Sequence, residues 1–397
     1  MNHPTHPAIH LLDGHFYASD PHPHFTWMRR HAPVYWDHSG AVWGVSLHED
    51  VMRISKDPEM FCSRHSSRPD AAAFPSMINL DDPDHKRRRN LVNKGFSVRR
   101  VHDHEPKIRR ICTELLDRVS GRGECDFVRD IAAPLPMIVI GDMLGVEPED
   151  HDMLLRWSDD FIAATSATAP VHVMEAANRS FVEYADYNRR VVHNRRDHPR
   201  NDLMSVIVHA EIDGQKLTDD EILQEGLLIL VGGDETTRHV ITGGMEQLMR
   251  NPDERCALID APSKIPVAVE EMLRWVTPIQ NMNRTATCDV ELRGQWIHEG
   301  DKVLLLYPSA NRDENVFPDA QRFKVGRDPN PHVAFGGYGA HFCLGASLAR
   351  LELRVMFEEL LRRLPDLALA SDDPLPLRPS NFIVGIESMP VVFEPRT

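Results

Sequence analysis

The chain has 397 residues, 42 % of them hydrophobic and 26 % charged, a balance that suits a folded protein with a large core. Its formal net charge of −15 argues against generic nucleic-acid binding, which calls for a basic surface. No apolar run approaches the roughly 18 residues of a bilayer span, and the N-terminus lacks the regions of a secretion signal. The six cysteines are scattered without a CxxC pair and read as reduced thiols, so a cytoplasmic protein with no transmembrane anchor is expected.

Residues 1–25 are rich in His and Pro and read as a loosely ordered, solvated tail. Alternation over 33–63 predicts a hairpin followed by a short helix from about Glu49. From about residue 84 the pattern turns helical. Helices are predicted around Cys112, over Pro134–Leu144, Met153–Phe161 and Met174–Arg195, with a softer stretch at 163–173. Asp213-Gly214 marks a tight turn. Thr218-Asp-Asp-Glu221 is a capping box opening a helix to about Arg250, roughly 50 Å long at 1.5 Å per residue. Short β patterns follow at Val290-Glu-Leu and Lys302-Val-Leu-Leu-Leu, and a last helix is predicted over Ala346–Leu364. No linker interrupts the run, so residues 1–397 read as a single domain, mainly α with a minor β part.

The strongest chemical signal is Ala334-Phe-Gly-Gly-Tyr-Gly-Ala-His-Phe-Cys343-Leu-Gly345, running straight into that last helix. Its glycines let the backbone turn tightly and approach a flat ligand. Cys343 stands at a helix start, where free N–H groups and the positive dipole end favour a thiolate, the ligand that promotes O–O cleavage at haem iron. Two other readings stay open on the loop alone: a buried structural cysteine, and a zinc site shared with His341. Midway along the long helix, Leu230-Val-Gly-Gly-Asp-Glu-Thr-Thr237 places two glycines where each costs about 1 kcal/mol relative to alanine. Either a close helix crossing or a functional distortion could compensate. Glu271-Met-Leu-Arg274 sets a carboxylate and a guanidinium on one helix face, and His85 and Arg89 share a face at i, i+4.

Together, and in this order, these motifs resemble the cytochrome P-450 superfamily over essentially the whole chain. The family's cysteine loop has its Phe seven residues before the cysteine. Here Phe335 lies eight before, a longer loop shared with some actinobacterial sterol- and lipid-hydroxylating members. Gly123–Met137, Leu155–Asp160, Gly232–His239 and Asn381–Phe393 further resemble the actinobacterial hydroxylases of the terminal (C26/C27) side-chain methyl of cholesterol and cholest-4-en-3-one.

The resemblance implies the P-450 fold, a triangular helical prism around a buried haem, with the long helix at about 219–250 in its centre. It implies haem b with Cys343 as axial ligand to iron, and His85, Arg89, Arg284 and His341 as partners of the propionates. Glu235 and Thr236 become the acid–alcohol pair that delivers protons, in a stretch where the helix widens. Glu271 and Arg274, with Arg322 as third member, become a structural ion pair. Arg87 or Arg88, with Arg350 and Arg354, would form a basic proximal patch steering an acidic ferredoxin, which passes electrons from NAD(P)H and ferredoxin reductase. Segments 71–78, 161–173, 278–282 and 381–384 are expected to face a hydrophobic substrate. The implied activity is monooxygenation by a monomer, with ω-hydroxylation of branched-chain fatty acids as the alternative. A fatty-acid peroxygenase is disfavoured by the intact acid–alcohol pair; a non-catalytic haem-thiolate sensor or carrier is the reading from another class.

Overall fold

The structure is a computed structural model that describes residues 3–164 and 170–396. Its first helices are α1 (Gly14–Ala18), α2 (His22–His31), α3 (His48–Ser55), α4 (Asp84–Asn93) and α5 (Val98–Asp103). The helical body follows: α6 (Glu105–Ser120), α7 (Pro134–Met143), α8 (His151–Ala163), α9 (Val171–Asp197), α10 (Leu203–His209) and α11 (Asp219–Arg250). Next come α12 (Pro252–Asp260), α13 (Ile265–Val276), the single turn α14 (Tyr307–Ala310) and α15 (Ala346–Arg363). The expected helices all form, within a few residues of their predicted ends.

The capping box closes as the sequence predicts. Thr218 Oγ1 accepts from the Glu221 N–H at 3.2 Å, and Glu221 Oε2 from the Thr218 N–H at 2.9 Å. The helix it starts, α11, is buried along most of its length and packs against α7, α13 and α15. A single apolar core fills the space between these helices, from Leu91 and Leu115 through Trp157 and Leu230 to Leu353 and Phe357.

The β part is minor. Strands β1 (Val34–Asp37), β2 (Val42–Val45), β3 (Phe61–Cys62), β5 (Asn281–Ala286) and β8 (Lys302–Leu306) form one sheet in the order β1-β2-β8-β5-β3. The predicted hairpin is its edge, with Val34 opposite Val45. β4 (Glu124–Asp126), β10 (Pro390–Val392) and β9 (Ala368–Leu369) form a second sheet in that order, and β6 (Val290–Leu292) pairs with β7 (Gln295–Ile297).

The N-terminal expectation needs correction. Ile9 and Leu11 are fully buried, and with Phe16, Tyr17, Phe25 and Met28 they pack on Leu304 and Leu306 of β8. The Leu11 N–H donates to Asp37 at 2.6 Å, and Tyr17 Oη donates to the Leu11 carbonyl at 2.9 Å. The histidines dominate this segment's composition, but its few apolar residues cover the sheet that would otherwise meet water.

Candidate functional site

Cys343 lies at the foot of α15. Its backbone N–H donates to the Phe335 carbonyl at 2.9 Å, closing the glycine-rich loop on itself. The residue is exposed at its surface although protein groups crowd around the sulfur. Burial pushes the thiol up, opposed by the N–H groups of Gly345 and Ala346 and by Arg89 and Arg350. The sulfur is thus set among donors and cations that would favour a thiolate once a metal takes the proton's place.

The loop's glycines have a structural account. A Cβ on Gly337 would fall 2.3 Å from Ser55 Oγ, and one on Gly339 only 1.7 Å from the Ser55 carbonyl oxygen. The loop therefore lies directly on the last turn of α3, which only residues without side chains permit. Gly336 takes a φ of +93°, the left-handed region that glycine adopts freely. Arg350 stacks 4.6 Å from the centre of Phe335, holding that ring beside the turn.

His85, Arg89, Arg284 and His341 are brought together. The His85 and His341 rings lie 4.2 Å apart. Burial, with Arg284, His85 and Arg89 nearby, drives His341 down to about 2, so it stays neutral. Arg89 donates to the Phe342 carbonyl, and Arg284, on β5, to the Asn283 carbonyl at 2.8 Å. Neither guanidinium has a carboxylate partner among the described residues, and the buried His85 Nε2 has no partner there either. Buried cations and donors are ordinarily matched. This set suits a ligand bearing carboxylates beside the cysteine, as a haem with its two propionates would.

Across from the loop, the two glycines of α11 have separate roles. A Cβ on Gly233 would fall 2.4 Å from Ile140 of α7, so this glycine allows a close helix crossing. A Cβ on Gly232 would meet nothing within 4 Å, so this one faces open space. Thr236 Oγ1 donates to the Gly232 carbonyl at 2.9 Å. The expected widening is absent: α11 runs unbroken from Asp219 to Arg250, and the Thr hydroxyl occupies the carbonyl that a distorted turn would free.

Glu235 is wholly buried in a cationic cage. Arg238 pairs with it one turn on, Arg378 donates from the C-terminal segment at 3.0 Å, and His239 Nε2 lies 3.2 Å away. Burial works against ionisation, but His239, Arg238 and Arg378 hold the carboxyl well below the usual carboxylate range. Glu235 and Thr236 adjoin in sequence and diverge in space, the acid toward the cage and the alcohol toward Gly232.

The structural ion pair is a triad, with one correction. Arg274 makes a bidentate contact to Glu271 at 2.7 and 2.8 Å, both side chains fully buried. The third member is Arg327, donating to Glu271 at 2.9 Å. Arg322 is exposed and offers only its carbonyl, to Arg274 and Arg327. The basic patch also changes. Arg87 and Arg88 turn onto Glu221 of α11, and Arg88 onto Glu225, while Arg350 pairs with Glu270 and Arg354 with Glu105. Among the described residues, cations without an acidic partner lie instead at Arg99 and Arg100 of α5, both exposed, on a helix packed against α15.

A cluster that the sequence did not reveal ties two expected substrate-facing segments, 278–282 and 381–384, together. Buried Arg68 donates to Asn281 Oδ1 and Asn381 Oδ1, each at 3.0 Å, and stacks 4.4 Å from the centre of Phe382. The Gln280 N–H donates to the Phe382 carbonyl at 2.8 Å and the Val384 N–H to the Pro278 carbonyl at 3.0 Å. Residues 75–77 are held to α11, where Glu225 accepts from the Met77 N–H at 2.9 Å. Of the remaining expected segment, 165–169 lie outside the described residues.

The cytochrome P450 family model matches residues 41–260 and 265–389. A steroid C26-monooxygenase of Mycolicibacterium smegmatis is 51 % identical, covering 98 % of this chain and 97 % of its own. A methyl-branched lipid ω-hydroxylase of Mycobacterium bovis is 38 % identical, over 93 % of this chain and 90 % of its own. Among solved structures, CYP109E1 of Bacillus megaterium in complex with testosterone superposes with a TM-score of 0.87. It is 34 % identical and covers 94 % of this chain and 99 % of its own.

Proposed function

Because this chain belongs to the cytochrome P450 family, we propose that it is a monooxygenase acting on the terminal side-chain methyl of a sterol such as cholesterol or cholest-4-en-3-one. The observation that carries the substrate class is the 51 % identity to a steroid C26-monooxygenase along nearly the full length of both chains. Cys343 would hold the iron, and Arg89, Arg284, His85 and His341 the propionates. When bound, haem b supplies dioxygen activation and insertion of one oxygen atom into an unactivated C–H bond, the second atom leaving as water.

The chain's own residues bind, orient and move protons. The clasp at Arg68 fixes Ile279, Met282 and Phe382, apolar side chains that the resemblance directs toward the substrate, as an apolar wall for a lipid. Glu235 takes up protons inside its cage, and Thr236, one residue on, presents a hydroxyl toward the open side of α11. For the alcohol to pass a proton on, its bond to the Gly232 carbonyl must be exchanged for one to water or substrate oxygen. Electrons come from NAD(P)H through ferredoxin reductase and ferredoxin, the ferredoxin docking at Arg99 and Arg100.

The 38 % identity to a methyl-branched lipid ω-hydroxylase supports a second reading, the same oxidation on a branched fatty acid. Titrating the haem-loaded protein with cholest-4-en-3-one and with a methyl-branched fatty acid, followed by the shift of the Soret band, separates the two. Tighter binding of the sterol is expected; a response to the fatty acid alone overturns the sterol assignment. Reduced, CO-treated protein should show the strongly red-shifted band of thiolate-bound haem.

A further inference from the structure

The cage around Glu235 has a side that leads outward. Between α2, α11, α13 and the C-terminal segment lies a cavity of about 240 Å³, its polar wall formed by Asp20, His22, His239, Glu246 and Gln280. His239 stands one turn beyond Glu235 on α11 and is itself buried. Its Nε2 lies 3.2 Å from Glu235 Oε2, in ion-pair range without a hydrogen bond, and its Nδ1 has no partner among the described residues. Few buried histidines leave both nitrogens so loosely engaged. The ring lies against Gly385, which also lines the cavity, where a Cβ would fall 1.9 Å from Nδ1. Burial holds the imidazole's pKa down, and Arg238 and Arg378 add to this, while Glu235 opposes them. The ring is therefore neutral near pH 7. With a carboxylate beside Nε2, the proton belongs on that nitrogen and Nδ1 is the free acceptor.

We propose that His239 is the inner station of a proton inlet, connecting water in this cavity to Glu235. The proposal rests on the reading of Glu235 and Thr236 as the proton-delivering pair. In one transfer, Nδ1 takes a proton from cavity water and Nε2 gives one to the Glu235 carboxylate. The water's loss is made good from bulk solvent past Asp20, His22 and Glu246. Once the ring has turned toward the cavity, water takes the Nδ1 proton and returns one to Nε2, which restores the starting tautomer. Two transfers per turnover match the two electrons and two protons that monooxygenation consumes.

The test uses haem-loaded protein with ferredoxin, ferredoxin reductase, NADH and cholest-4-en-3-one. His239→Gln keeps a polar side chain but cannot exchange a proton between two nitrogens. The CO-bound band and the substrate-induced Soret shift should stay unchanged. Product per NADH should fall at least fivefold, peroxide should rise, and the solvent isotope effect on turnover should grow. Gly385→Ala, which displaces the ring without altering its chemistry, should move the same readouts in the same direction, and it decides the matter if His239→Gln does not load haem. Coupling and isotope effect within twofold of the parent in the haem-loaded variant overturn the inlet. Glu235→Gln separates the two levels. If it lowers coupling while His239→Gln does not, the inlet alone fails; if it too leaves coupling unchanged, the reading of the pair fails.

Discussion

Glu271 draws its partners from two stretches of the chain. Arg274 reaches it from the same helix face, Arg327 from the loop that follows, and the Lys324 N–H donates to it at 2.8 Å. Removing one member of a buried charge cluster leaves the others uncompensated, at a cost of about 3–5 kcal/mol. Arg327→Leu should accordingly lower the urea midpoint sharply and reduce haem incorporation. Arg322→Leu should shift stability by less than about 0.5 kcal/mol, and a comparable loss there would contradict the triad. The spacing of Glu271 and Arg274 was legible in the sequence because helical periodicity dictates it. Arg327 was not, since no period fixes where a loop side chain points. Glu225 gives a pH dependence at the same scale. Burial raises its carboxyl to about 7, outweighing Arg88 and the Met77 N–H. From about pH 4.5 to 7 the folded chain keeps a proton that the unfolded chain has released, so this group makes stability fall as pH rises and then level off. Glu225→Gln should shrink the stability difference between pH 5 and pH 8 by on the order of 3 kcal/mol, read from urea unfolding at both values. An unchanged difference would mean that the carboxyl titrates normally.

The cysteine loop and α3 form one unit, although nearly three hundred residues separate them in the chain. Contact of Gly339 with a backbone oxygen leaves no flexible atom to yield, so Gly339→Ala must move either the loop or the helix. Overpacking of this kind costs about 1–3 kcal/mol. The expected result is a lower melting temperature and faster haem loss to an apo-globin trap, with both measured against Gly326→Ala, where a Cβ meets nothing within 4 Å. Equal behaviour of the two variants would show that the loop does not bear on α3. The elements themselves were readable wherever a local rule operates, as in the capping box of α11 or the hairpin of β1 and β2. The N-terminal segment was misread because its order comes from a distant partner, β8, and its own pattern carries no period. The unbroken course of α11 was missed for a related reason: Gly232 and Gly233 look alike in sequence, and only their neighbours tell them apart.

Over the whole molecule, acidic residues outnumber basic ones by 60 to 45, so unpaired cations stand out. Arg99 and Arg100 are exposed on α5, while the arginines that follow the cysteine are neutralised by Glu270 and Glu105. An acidic electron donor would be steered to the former. Arg99→Glu with Arg100→Glu should slow ferredoxin-driven reduction at least tenfold at low ionic strength. The gap from the parent should narrow as salt screens the charges, in stopped-flow traces of the CO-bound band. A rate equal to the parent's at low salt would move the docking face elsewhere. The clasp at Arg68 carries a different consequence, one of timing. Its two asparagine partners lie 213 and 313 residues further along the chain. During synthesis, the clasp cannot close until Asn381 has emerged from the ribosome, 313 residues after Arg68. The nascent protein therefore carries an open clasp while the intervening residues are made, which leaves an interval in which a large flat cofactor can still be admitted.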